Sequence, residues 1–191
     1  MIPHRSDVPC IYCSQLAVVD QDLNLIKYYY EDTPQFDCHT AMVQNCATGC
    51  TEVFNHRVVE LYREGIGSRM EMHDYWMFLV CLCMGEVYWD TDSAILYRQH
   101  GDNVVGAKKK SALTALAHYD RYGHREQMVR DFDRTYKHKM TEEIRSILLP
   151  LIKHRHSLPA RIWLFANPQY HGYSVKITVN FKVRTLTNRL Y

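Results

Sequence analysis

The sequence predicts a mixed α/β fold that continues into a helical C-terminal extension. Cys10 to Val19 is rich in apolar residues and runs into a polar turn, as is typical of a buried strand. From His73 to Gly85 the chain is apolar on every helical face, which predicts a helix buried on all sides. Beyond Ala107 the pattern becomes helical. We therefore expect residues 1–107 to form an α/β domain and residues 108–191 a helical extension.

Shorter elements are predicted between the first strand and the buried helix. Phe36 to Val43 is a helical candidate, and Thr48 to Phe54 has strand-like composition. Asn55 is well placed to cap a helix through Tyr62, and Gly65 ends it.

The chain after Gly85 contains two strand patterns and then helical patterns. Glu86 to Trp89 and Ala94 to Tyr97 predict two strands around a turn at Asp90 to Ser93. Residues 175–190 fit either an alternating strand or one face of a helix, and periodicity leaves both open. The predicted helices are Ser111 to Tyr122, Arg125 to His138 and Thr141 to His154.

Composition excludes several classes of protein. With 191 residues, 47% of them apolar, and no internal period, the chain is neither disordered nor a repeat protein. The N-terminal residues lack the apolar core of a signal peptide, and the longest apolar run, Tyr75 to Gly85, is too short to span a bilayer. We therefore expect a cytoplasmic protein with seven reduced cysteines.

Charge is divided unevenly along the chain. After Glu143 there are eight Lys and Arg residues and no acid, so this segment carries +8, and residues 1–143 carry −6 because the whole chain carries +2. Such a segment predicts an anionic partner, or else a solvated basic extension. No nucleic-acid module is recognisable. The aromatic residues among the cations favour peripheral docking at an anionic membrane, on the inner face; they are Trp163, Phe165, Tyr170 and Tyr173.

Asp74 is the first candidate catalytic residue. It begins the buried helix, where the helix dipole favours a negative charge, and a fixed carboxylate suits a general base. The alternative is that Asp74 is only an N-cap. His73, Tyr75 and Trp76 place an imidazole and two aromatic rings beside the carboxylate, as candidate substrate-binding groups.

A second polar cluster follows the last predicted strand. Arg98 is suited to clamp a phosphate, and His100 to stabilise an oxyanion or bind a metal; Gln99 lies between them. The end of a strand is where open α/β sheets place ligands. The alternative is a polar loop with one ion pair.

Cysteine spacing raises a structural zinc site as a further alternative. Cys10-x2-Cys13 and Cys46-x3-Cys50 have compatible spacings, but a strand at Cys10 to Cys13 would point successive side chains to opposite faces. Asp20-Gln21-Asp22 resembles a metal-binding Asp-x-Asp and equally a common turn.

Three segments stand in order along the chain: Asn45-x-x-Thr48-Gly49-Cys50-Thr51, then Met72-His73-Asp74-Tyr75-Trp76, then LYRQHGDNVVGA from Leu96 to Ala107. Together they resemble the acceptor-side half of family 2 glycosyltransferases, and most closely the bacterial rhamnosyltransferase-like enzymes of surface polysaccharide synthesis. The resemblance covers about residues 10–107.

This resemblance implies a GT-A fold and inverting transfer of a sugar, with rhamnose as one candidate, from a nucleoside-diphosphate donor. It also implies a glycan or lipid-linked acceptor and a divalent metal, Mn or Mg, at the diphosphate. Asp74 matches the acid that deprotonates the acceptor hydroxyl. The loop over the diphosphate and acceptor is matched by Arg98, Gln99 and His100.

The remaining matched residues are implied to bind the acceptor. Tyr75 and Trp76 would line the sugar site, and Asn45, Thr48 and Gly49 would shape the pocket around it.

The sequence departs from the family in one respect. Complete members carry nucleotide-binding units and a metal-binding Asp-x-Asp before the strand assigned to Cys10 to Val19, and three such units amount to about 90 residues. These units are not in this sequence, and Asp20-Gln21-Asp22 is not assigned to the metal. We expect either a truncated transferase that acts with a separate N-terminal half, or an inactive remnant or non-catalytic partner that binds no donor by itself.

Overall fold

The computed structural model describes residues 7–30, 33–34, 36–66, 72–98 and 125–190, and this part of the chain is a mixed α/β structure, as predicted. Its four strands are β1 (Cys10–Val19), β2 (Leu25–Tyr28), β3 (Val53–Phe54) and β4 (Glu86–Arg98). Its α-helices are α1 (Cys38–Val43), α2 (His56–Glu64), α3 (His73–Met84), α4 (Arg125–Tyr136), α5 (Glu142–Lys153), α6 (Leu158–Ala166) and α7 (Val175–Leu186).

Strand β1 organises the sheet. It pairs with β4 in parallel along its whole length, from Cys10 opposite Glu86 to Val19 opposite Arg98. Strand β2 pairs antiparallel with the C-terminal end of β1, and β3 pairs antiparallel with the N-terminal end. The predicted strand-like segment around Gly49 is shorter than expected, because Gly49–Thr51 forms a turn of 3-10 helix before β3.

The prediction of two strands around a turn is wrong for Glu86 to Tyr97. Both segments pair with β1, and the residues between them form a bulge: Ser14 lies opposite Asp90, but Leu16 lies opposite Ile95. The side chains of Asp90 and Ser93 accept hydrogen bonds from backbone amides, and the chain does not reverse direction here. Ser93 Oγ accepts a hydrogen bond from the Ala17 amide at 2.8 Å, so a side chain replaces one backbone hydrogen bond between β1 and β4.

Helix α3 is buried on every side, as its sequence predicts. Residues 74–81 all lie in the interior, and the helix contacts β1, β4, α1 and α2. Gly85 ends it and has a second role. A side chain at this position would bring its Cβ within 1.9 Å of the Pro9 carbonyl oxygen, so glycine permits the close passage of the N-terminal segment.

Capping residues set the other helix boundaries. The side chains of Asn55, Thr141 and Ser174 accept hydrogen bonds from the amides of Val58, Ile144 and Ile177 at the starts of α2, α5 and α7. Residues 175–186, which fitted two patterns, are helical, and this buries Phe181 and Thr185. The predicted helix at Ser111 to Tyr122 lies outside the described residues.

A single hydrophobic core joins the two halves of the chain. Trp76 and Met42 from the first half belong to the same cluster as Phe132, Leu148 and Phe181 from the second. The expected boundary at residues 107 and 108 lies outside the described residues. None of the helices in the described segments combines the length and apolar character needed to cross a bilayer.

Tyr136→Phe should destabilise the protein by about 1–3 kcal/mol, because it leaves two buried polar groups without their partner. The Tyr136 hydroxyl donates to the Leu61 carbonyl oxygen at 2.6 Å and accepts from the Trp76 indole at 3.1 Å. Urea unfolding measures the change. Tyr28→Phe, at a half-exposed ring, is the control. Equal losses in the two variants would contradict the proposed role of this bond in joining α4 to α2 and α3.

Candidate functional site

A cavity of about 630 Å³ lies where the two halves of the chain meet. Its walls come from the loop after α1, the first turn of α3, the end of β4, the start of α4 and one face of α7. Six of the residues singled out by sequence line it together: Asn45, Thr48, Gly49, His73, Asp74 and Tyr75.

Asp74 is held rigidly in the cavity wall. Met72 is the N-cap of α3, so Asp74 lies inside the first helical turn and the N-cap alternative is wrong. One carboxylate oxygen accepts from the Tyr75 amide at 2.8 Å, and the other from the Gly49 amide at 3.2 Å. A Cβ at Gly49 would lie 3.0 Å from the Asp74 Cβ, so glycine allows the loop to reach the carboxylate. A side chain that is 4% exposed thus keeps a fixed orientation at the cavity.

The neighbouring residues form the floor and rim. Tyr75 is buried, and its hydroxyl donates to the Ala41 carbonyl oxygen, so its ring forms a fixed floor. His73 is exposed and lies on the rim. Asn45 accepts a hydrogen bond from the Ala47 amide and thereby shapes the loop that carries Thr48. Residues that the sequence singled out as substrate-binding thus lie together at one cavity.

Trp76 and Arg98 are placed differently from their expected roles. Trp76 is fully buried and packs against Phe132 and Tyr136, because successive helical residues point in different directions and only Tyr75 turns toward the cavity. Arg98 is exposed and does not line the cavity, whereas Tyr97 does, since neighbouring strand residues face opposite sides. Gln99 and His100 lie outside the described residues.

Glu52 is a second carboxyl group close to Asp74 that sequence analysis missed. Both of its carboxyl oxygens are buried, and neither has a hydrogen-bond partner among the described residues. Burial, followed by the charge of Asp74, raises the pKa of Glu52 to about 8. Glu52 is therefore mostly neutral at pH 7. It lies behind the cavity wall, and no motif marked it.

Arg125 carries positive charge from the second half of the chain into the cavity wall. Its guanidinium donates to the carbonyl oxygens of Met42 and Val43 at the end of α1. It also lies over the Tyr75 ring, 5.4 Å from the ring centroid. Arg125 thus fixes both the floor and the loop that carries the predicted residues, while it is only 7% exposed.

Helix α7 forms the wall that sequence analysis did not anticipate. Ile177, Asn180, Phe181 and Arg184 line the cavity at the i, i+3, i+4, i+7 spacing of one helical face. The side-chain oxygen of Asn180 is buried and accepts no hydrogen bond from any described residue. The residue itself is part of the lining and adds polar character to this wall. The helical face that fits the sequence pattern, through Val175, Val179 and Val183, is a different one and lies on the exposed side of α7.

The described residues supply no metal site. No group of three or more His, Cys, Asp or Glu side chains within these segments is placed to hold an ion, so Cys10, Cys13, Cys46 and Cys50 are not gathered into one. Asp20 accepts hydrogen bonds from the amides of Asp22 and Asn24, as in a polar turn. The expected ligand His100 is outside the described residues.

Comparison of the chain with known protein families, with curated proteins and with solved structures found no match.

Glu52→Gln should remove a loss of stability that grows with pH. The Glu52 carboxyl has a pKa of about 8 in the folded protein and an ordinary value of 4.5 in the unfolded chain, so it takes up a proton on folding at any pH between these values. Folding therefore becomes less favourable as the pH rises from 4.5 toward 8. The amide does not ionise, so the variant should gain about 2–4 kcal/mol over the wild type at pH 8 and much less at pH 5. Urea unfolding at the two pH values tests this, and an equal difference at both would contradict it.

Proposed function

We propose that the cavity binds a sugar acceptor and that Asp74 is the general base of an inverting glycosyl transfer. The observation that carries the proposal is the fixed Asp74 carboxylate in the wall of a cavity lined by the residues that match the family's acceptor pocket. The order of the three sequence segments supports the family. The geometry adds that residues of all three line one cavity, the third segment through Tyr97.

The lining of the cavity suits a carbohydrate. Its volume lies within the range of about 300–1,000 Å³ that small-molecule sites occupy. The rings of Tyr29, Tyr97 and Phe181 offer apolar surface to the C–H faces of a sugar. The amide side chains of Gln44, Asn45 and Asn180 also line the wall and give it polar character.

In the proposed reaction, an acceptor hydroxyl donates a hydrogen bond to the Asp74 carboxylate. Its oxygen attacks the anomeric carbon of the donor sugar, and the proton passes to Asp74 as the new C–O bond forms and the diphosphate leaves with inversion. The two backbone amides hold the carboxylate in place through this step. Because the Glu52 carboxyl is neutral, it adds no second negative charge close to Asp74.

The donor and the metal enter the proposal through the resemblance. A nucleoside-diphosphate sugar supplies the transferred group, and Mn or Mg at the diphosphate would stabilise the leaving group. No described cluster of side chains fits that ion, so no step above passes through it.

One observation favours the alternative of a non-catalytic acceptor-binding partner. The Asp74 carboxylate already accepts two backbone hydrogen bonds, which a purely structural role at a helix start would also produce. This alternative predicts sugar binding without transfer and without donor binding.

Asp74→Asn should lower glycosyl transfer at least about 100-fold while it leaves acceptor binding within about three-fold, because the amide keeps the shape but accepts no proton. Calorimetry with methyl rhamnoside and related glycosides measures binding. Product formation from nucleoside-diphosphate sugars with Mn²⁺ measures transfer. Glu60→Gln, on the exposed side of α2, is the matched control. Equal transfer by Asp74→Asn and the wild type would reject the base. A wild-type chain that binds the glycosides but transfers no sugar, even when a separate donor-binding N-terminal half is supplied, would assign the non-catalytic alternative.

Asn180→Ala should weaken glycoside binding about 3–10-fold, because it removes a polar side chain from the cavity wall. The control is Val179→Ala, one residue away on the opposite, exposed side of α7. Binding is measured by the same calorimetry. Similar affinities for both variants would show that α7 does not contact the sugar.

A further inference from the structure

Helices α6 and α7 pack against each other, and each exposes a row of apolar side chains. On α7 the row has i, i+4, i+8 spacing, and on α6 it has i, i+4, i+7 spacing, so each forms one helical stripe. Their exposed fractions run from 45% to 81%. We call these six residues the apolar stripes: Leu158, Ile162 and Phe165 on α6, and Val175, Val179 and Val183 on α7.

Basic residues accompany the apolar stripes. All eight charged side chains after Glu143 are Lys or Arg, so both helices lie in a segment without acidic residues. Lys176 and Lys182 flank the α7 stripe on its two sides, since their positions on the helix lie just beyond Val183 and Val175. The Lys182 ammonium donates to the Leu164 and Asn167 carbonyl oxygens at the end of α6, and so links the two helices.

We propose that the apolar stripes and the basic residues that accompany them dock the protein on an anionic lipid membrane. Exposed apolar rows favour an apolar partner, and a segment whose charged residues are all basic favours an anionic one. A lipid surface with anionic headgroups offers both at once. A second copy of the same surface would bring like charges together, and a nucleic acid would leave the valine and leucine side chains in water.

The two faces of α7 connect this surface to the cavity. Ile177, Asn180 and Phe181 line the cavity on one side, and Val175, Val179 and Val183 face outward on the other. A membrane under α7 therefore lies one helix diameter, about 10 Å, from the cavity. If the proposed function holds, an acceptor anchored in that membrane would reach Asp74 with little change of position, and this consequence alone rests on the proposed function.

Vesicle flotation tests the docking surface. The wild type should float with vesicles of phosphatidylglycerol and phosphatidylcholine, float poorly with phosphatidylcholine alone, and release as salt rises. The double variant Val179→Asp/Val183→Asp should bind the anionic vesicles at least about ten-fold more weakly than the wild type, and so should the separate variant Ile162→Asp. Each variant places a carboxylate in the apolar contact. The matched control is Ile66→Asp, at another exposed apolar side chain, 68% exposed, away from α6 and α7.

A spectroscopic reporter within the α6 stripe guards against variants that fail to fold. Phe165 is 45% exposed, and Phe165→Trp places an indole in the proposed contact. Anionic vesicles should shift the tryptophan emission of Phe165→Trp to shorter wavelength by more than that of the wild type, whose Trp163 lies on another side of α6 and packs against Tyr170. Asp74→Asn should bind vesicles like the wild type, so loss of transfer and loss of docking are separable.

Three outcomes would overturn the proposal. The first is equal flotation with neutral and anionic vesicles. The second is unchanged binding by both stripe variants. The third is that the wild type sediments as a dimer without lipid, Val179→Asp/Val183→Asp sediments as a monomer, and neither binds vesicles. That outcome would assign the surface to a second copy of the chain.

Discussion

Complete burial of α3 is the constraint on which the rest of the structure depends. A helix that is apolar on all sides must be covered on all sides, and no single layer can do this. Strands β1 and β4 and helices α1 and α2 contact it directly, and Trp76 extends the packing to Phe132 and Tyr136 of α4. Only the first turn of the helix remains open to the cavity, and this turn carries Asp74.

The sequence predicted elements whose signals are local and mispredicted those decided by distant partners. Asn55 begins α2 through its side-chain oxygen and Gly65 ends it through its backbone amide, so the sequence alone predicted both boundaries. Asp90 to Ser93 has turn composition, but pairing of β4 with β1 on both sides converts it into a bulge. The same limit applies to residues 175–186, where burial of Phe181 against other elements selects the helix between two fitting periodicities.

The candidate site was predictable in part for the same reason. Short motifs identified Asn45, Thr48, Gly49 and Asp74, which lie on two segments that the fold brings together. Adjacent positions were harder, because a shift of one residue turns Trp76 away from the cavity and Arg98 to the other side of its strand. Arg125 and α7 lie far along the chain from the other cavity residues, and their contact with the site could not be predicted from sequence spacing.

The parallel pairing of β1 and β4 has a consequence for the order in which the protein is made. Cys10 and Glu86 are 76 residues apart, and three helices lie between their strands. Strand β1 leaves the ribosome early, yet the partner that covers its entire length is synthesised only at Glu86–Arg98. Until then this buried, apolar strand has only the short strands β2 and β3 as partners, so much of its length stays exposed to wrong pairing and aggregation while most of the first half is translated.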